Sequence, residues 1–138
     1  MKYFYYVIFL MAVLVSINYA QVVVIANKSV PVSKISAGAL LQIYLMKNTK
    51  WSDGTKIVVY YNKEQSICQK VCDFIGMDII NLRKRWMQMQ LSGEGKAPEA
   101  IDGDDEMIKK VKSTEGAIGY VNASSIKGKG SNVIATIE

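Results

Sequence analysis

Apolar and polar positions divide this chain into an uncharged leader and a body in which buried-type runs alternate with amphipathic segments. Tyr3 to Val15 carries no charge, and Lys2 stands just ahead of it. Val22 to Ala26 is a continuous run, VVVIA, the pattern of a strand covered on both faces. After a loop containing Pro31, Ser36 can cap a helix whose apolar positions are Leu40, Leu41, Tyr44 and Leu45, ending near Lys47. Trp51-Ser-Asp-Gly54 reads as a turn. Ile57 to Tyr61 reads as a second strand. Ser66 to Ile75 follows as a second helix through Ile67, Val71, Phe74 and Ile75, stopped by Gly76.

Asp78 opens a third helix with Ile79, Leu82, Trp86 and Met89 along one side. Its other side carries Arg83, Lys84 and Arg85, the pattern of a solvated face. Ser92 to Ala100 reads as loop. Asp102, Asp104, Asp105 and Glu106 crowd the start of a fourth helix that ends near Ser113, where acids complement the helix dipole. Ala117 to Val121 and Val133 to Ile137 complete the strands. Trp86 and Tyr120 are expected to pack the third helix against the sheet.

This alternation predicts a single α/β domain with a mainly parallel sheet, right-handed crossovers and flanking helices. Ligands in such sheets sit beyond the carboxyl ends of strands, where helix N-termini offer free N–H groups. Two loops are candidates on that rule, Asn27 to Ser29 after the first strand and Asn62 to Ser66 after the second. The acidic start of the fourth helix would repel an anion.

The leader changes the setting. A lone cation, a short apolar run and Ser16-Ile-Asn-Tyr-Ala20 read as a secretory signal cut after Ala20, being too short and too polar at its end for a membrane anchor. The expected organisation is residues 1–20 as signal and 21–138 as one exported, periplasmic domain, large enough for one core. The whole chain has a formal charge of +5, and only Lys2 leaves with the signal. That mild excess suits an anionic ligand or membrane surface, while export excludes nucleic acid as a partner.

Cys68 and Cys72 lie four apart in a helical segment. Their Cβ atoms would be about 5–6 Å apart, against about 3.8 Å in a disulfide. They read as small buried hydrophobes, with a labile or intermolecular disulfide as the alternative in an oxidising compartment. The chain has no His, which removes the usual base for a Ser or Cys nucleophile and the usual zinc set. No catalytic residue, metal or cofactor is expected.

Two segments carry a family resemblance. Ile43-Tyr-Leu-Met-Lys-Asn-Thr-Lys-Trp51-Ser-Asp and Gly116-Ala-Ile-Gly-Tyr-Val121, in this order and spacing, resemble the phosphate-binding components of ABC transporters. The similarity is to the inserted domain of the type II periplasmic binding fold and to its short one-domain members. It implies phosphate or another small oxyanion as ligand, and an ABC transporter permease or another periplasmic protein as partner.

In that family the second strand leads into Arg-x-Asp-Gly-Ser-Gly-Thr. The counterparts here are Asn62 for Arg, Ser66 for the hydroxyl, Ile67 for Gly and Cys68 for Thr. The bidentate guanidinium is replaced, so the expected ligand set is Asn62 and Ser66 at motif positions, Lys63 as a nearby charge, and Ser29 from the loop after the first strand. One domain offers one wall of a cleft, and a homodimer or another protein would supply the second. Two functions follow: an exported solute-binding module with a degraded oxyanion half-site, or a non-catalytic periplasmic interaction domain that has lost its ligand.

Overall fold

The alternating pattern gives five strands and four α-helices among the residues that the computed structural model describes, 21–138. Met1 to Ala20, with the expected signal and cleavage point, lie outside the described residues. In chain order the elements are β1 (Val22–Ala26), α1 (Ala37–Tyr44), β2 (Val58–Asn62), α2 (Gln65–Ile75), α3 (Ile79–Ser92), β3 (Glu99–Ile101), α4 (Asp104–Ser113), β4 (Ala117–Asn122) and β5 (Asn132–Ile137). A 3₁₀ turn, Ala123–Ile126, joins the last two strands. Ser36 Oγ caps α1 by accepting from Ala39 N at 3.2 Å. Asp78 caps α3 by accepting from Asn81 N at 2.9 Å.

The sheet order is β3-β2-β4-β1-β5. The expected parallel pairing holds for β2, which runs parallel to β3 and β4. β1 runs antiparallel to β4 and β5, so the sheet is mixed. The burial pattern of β1 does not encode its direction: Val22–Ala26 is buried on both faces whichever way it runs. β3 closes the stretch read as loop. It is three residues long and is held in register by Tyr60 to Asn62 of β2.

The crossover from β2 to β3 and the return from β3 to β4 run in opposite directions across the sheet. The right-handed rule then puts their helices on opposite faces. Side chains follow this arrangement. Val22, Val24, Val59, Ile118 and Tyr120 join α1, α2 and α3 in one core. Val23, Ile25, Tyr60, Ala117 and Val121 join α4 in the other. Alternation along β1, β2 and β4 thus divides one sheet between two cores.

Trp86 sits where α3 meets this structure. It is buried with Leu82 and Met89, and its ring lies 5.1 Å from that of Tyr61. Its indole N–H donates to the Tyr44 carbonyl oxygen at 2.6 Å. On the neighbouring turn, Tyr44 Oη donates to Tyr60 O at 2.9 Å. Gly116 is fixed by space and by backbone: its φ is +73°, and a Cβ there would collide with the Lys56 carbonyl oxygen.

Cys68 and Cys72 are buried and unbridged. Helical spacing brings the two thiols together without the geometry of a disulfide. A hydrogen bond from Cys72, and a second from Tyr120, pull the Cys68 thiol below its ordinary range. The hydrogen bond to Cys68, with burial, holds Cys72 well above it. Burial also pushes the Tyr44 and Tyr120 phenols upward.

Candidate ligand-binding edge

The carboxyl end of β2 carries Asn62, Lys63 and Glu64 straight into α2, and its geometry differs from what the loop's composition implies. Asn62 is fully buried, at 0% exposure. Its amide N–H donates to Asp104 Oδ1 at 2.9 Å, and its Oδ1 accepts from Glu64 N at 3.0 Å. This amide is therefore spent on holding the loop. Lys63 is pinned by its backbone, whose N–H donates to Ile101 O at 3.0 Å, while the residue itself is exposed. Ser66 is exposed, and its hydroxyl donates to Glu64 Oε1 at 3.3 Å.

α2 starts at Gln65, one residue before the expected Ser66, with Glu64 as its N-cap. The Glu64 side chain makes no capping hydrogen bond, and the first turn of α2 holds no acid. The first-turn N–H groups of α2 therefore carry the partial positive charge of a helix end without a capping acceptor, and the Glu64 carboxylate stands beside them in its bond with Ser66. Ile67 and Cys68, which stand where the resembling family has Gly and Thr, are core residues of α2. Their side chains pack inward, away from the edge.

Asp104 was missed as a site residue by reasoning from sequence, where it looks like one acid of a helix-capping cluster. Its carboxylate instead ties the sheet's edge together. Oδ1 accepts from Asn62, while Oδ2 accepts from Asn122 N and Nδ2, each at 3.1 Å, and from Ser125 Oγ at 2.6 Å. The signal available in the sequence was a run of acids longer than one helix start requires: the neighbouring Asp105 pairs outward with Lys129 at 2.7 Å. A negative charge next to Asn62 opposes an anion at this edge, and Lys63 offsets it as a point cation.

Ser29 lies elsewhere. Because β1 is antiparallel to β4, its carboxyl end meets the amino ends of β4 and β2: Ala26 pairs with Ile118, and Val58 with Ala117. Asn62 is four residues further along β2, about 13 Å away. The Ser29 hydroxyl accepts from Gly116 N at 2.9 Å, and Ser29 N donates to Asn27 Oδ1 at 3.0 Å. The structure thus brings Asn62, Lys63 and Ser66 to one edge and leaves Ser29 at the opposite one. Among the described residues no group of three or more His, Cys, Asp or Glu side chains is placed to hold a metal.

The fold and this edge now meet a family pattern. The model of the PBP superfamily domain matches residues 11–136, nearly the whole chain. The chain belongs to the PBP superfamily. Solved relatives of this PBP-superfamily domain share its α/β architecture. One is a phosphate ABC transporter substrate-binding protein with bound phosphate from Clostridium perfringens, at TM-score 0.65 and 20% identity, covering 83% of this chain and 45% of that one. PstS from Borrelia burgdorferi matches at TM-score 0.59 and 17% identity, covering 84% and 47%. An ABC-type phosphate transport receptor from Vibrio cholerae matches at 0.56 and 19%, covering 83% and 46%. The chain therefore spans less than half the length of these relatives. No curated protein sequence matches it.

Proposed function

We propose that this PBP-superfamily domain is an exported, non-enzymatic solute-binding module of the phosphate-transport type. It takes a small oxyanion weakly at the edge between β2 and α2. The observation that carries this reading is the uncapped N-terminus of α2 at the carboxyl end of β2, with Lys63 and Ser66 exposed beside it. The first-turn N–H groups donate to the anion, Ser66 turns its hydroxyl to the anion in exchange for its 3.3 Å bond to Glu64, Lys63 supplies charge, and Asn62 positions the loop without touching the ligand. Residues 1–20 act as the signal and residues 21–138 as the periplasmic domain, which hands its ligand to an ABC transporter permease. No helix among the described residues is long and apolar enough to cross a membrane.

A second reading is favoured by one specific observation, the Asn62–Asp104 closure. A carboxylate within hydrogen-bonding distance of Asn62 and a fully buried amide suit a domain that keeps the fold for contact with another protein. Calorimetry of the exported protein, whose mass should match a chain starting at Gln21, separates the two. Neutral donors give roughly 0.5–1.5 kcal/mol each, and micromolar affinity needs about 8 kcal/mol. The solute-binding reading predicts about millimolar affinity for phosphate or sulfate. Absence of heat with every small anion tested hands the fold to the interaction-domain reading.

A further inference from the structure

Among the described residues, the large hydrophobic side chains left exposed are Ile80, Met87 and Leu91, at 75%, 55% and 82%. All three stand on α3. Spacings of seven and eleven residues align them along one helical face. That face points away from Leu82, Trp86 and Met89, which enter the core. Lys84 shares the line between Ile80 and Met87, with Arg83 beside it, and among the described residues no ion pair joins either to a carboxylate. α3 contains no Asp or Glu. Arg85 is turned inward instead, with a loose 3.7 Å approach to Glu94.

We propose that this outward face of α3 docks onto an anionic lipid surface. The charge pattern selects against a second copy of the chain: an antiparallel pair of α3 helices would bring two Arg83 and two Lys84 side chains together with no acid on either helix. Area selects against a protein. A helix of this length offers a footprint about 21 Å long and 10 Å wide, about 200 Å², against roughly 800 Å² per partner in a stable protein interface. A lipid surface sets no such minimum. Apolar side chains enter between headgroups while interleaved cations meet lipid phosphates, and the positive excess that remains of the chain's +5 once Lys2 leaves with the signal adds attraction at a distance.

The test is co-sedimentation of the exported protein, beginning at Gln21, with vesicles of phosphatidylcholine alone, and with half of that lipid replaced by phosphatidylglycerol. Two double variants in the same background are compared, Arg83→Gln with Lys84→Gln and Ile80→Ser with Leu91→Ser. The wild type should partition onto the phosphatidylglycerol vesicles and lose that binding in high salt. Removing both cations should lower partitioning about 25-fold, at roughly fivefold per charge. The serine variant should also fall by about tenfold, and both should unfold at the wild-type temperature because these side chains face solvent. Equal sedimentation of wild type and variants overturns the proposal, since the vesicle is then held elsewhere on the chain. No sedimentation with either vesicle overturns it too and leaves an acidic protein as the occupant of this face.

Discussion

Replacing Trp86 with Ala should destabilise the protein by about 3–5 kcal/mol, the usual loss for deleting a buried Trp side chain. Burial alone does not set the size of the effect. The indole anchors α3, an otherwise peripheral helix, through its ring contact with Tyr61 and its hydrogen bond to the Tyr44 carbonyl. Truncation opens a cavity between α3 and the sheet and leaves that carbonyl, in the core, without its donor. Trp86→Phe keeps most of the volume and removes the N–H, so it should lose roughly 1–3 kcal/mol. Urea unfolding monitored by circular dichroism measures both. A loss below about 1 kcal/mol for the alanine variant would mean that α3 does not depend on this contact.

The second large effect is expected at Asp104. Four donor contacts converge on its carboxylate, from Asn62, from the backbone and side chain of Asn122, and from Ser125. Asp104→Ala leaves the Asn62 amide inside the protein with no strong acceptor, its remaining contact being Tyr120 O at 3.5 Å. A buried donor left unpaired costs about 1–3 kcal/mol, and the half-buried groups of Asn122 and Ser125 add to it. The expected loss is about 2–4 kcal/mol in the same unfolding assay. Asp104→Asn should recover little, because every partner is a donor and an amide presents only one acceptor oxygen. Full stability in the asparagine variant would show that the carboxylate is not what closes this edge.

These two residues differ in how visible they were in the sequence. Trp86 is legible because it repeats at helical spacing with Leu82 and Met89, and periodicity reports burial directly. The same logic finds β1 from its β-branched run and α2 from Ile67, Val71 and Ile75. Asp104 is not legible, because a helix-capping acid and an acid that braces two strands look alike until the sheet brings Asn62 and Asn122 to it. The direction of β1 is hidden for a related reason. A strand buried on both faces reads the same in either sense, so the rule that ligands gather at carboxyl ends made candidates of both the Ser29 and the Asn62 loops, which the sheet sets at opposite edges. β3 escaped because Glu99-Ala-Ile101 is too short to show a period and owes its extended form to pairing with β2.

The resemblance to phosphate-binding components points to this edge, and the structure puts the residues that it names in different settings. Placing the family's Gly and Thr at Ile67 and Cys68 would alter packing as well as the loop. Both side chains are packed in the core of α2, and Ile67→Gly would excavate it. What remains for an anion is the backbone of the first turn of α2, the Ser66 hydroxyl and the Lys63 charge, all open to water, where each interaction is weak.

Whether an oxyanion meets the protein at that turn is tested most directly by an amide NMR titration with phosphate. Saturable shifts should be centred on the backbone amides of Glu64 to Ile67, with half-saturation at about millimolar phosphate, a binding free energy near 4 kcal/mol. The amides of Ser29 and Gly116, at the far end of the sheet, should stay still. Saturable shifts centred on Ser29 and Gly116, or none at residues 64–67 at tens of millimolar phosphate, would contradict it.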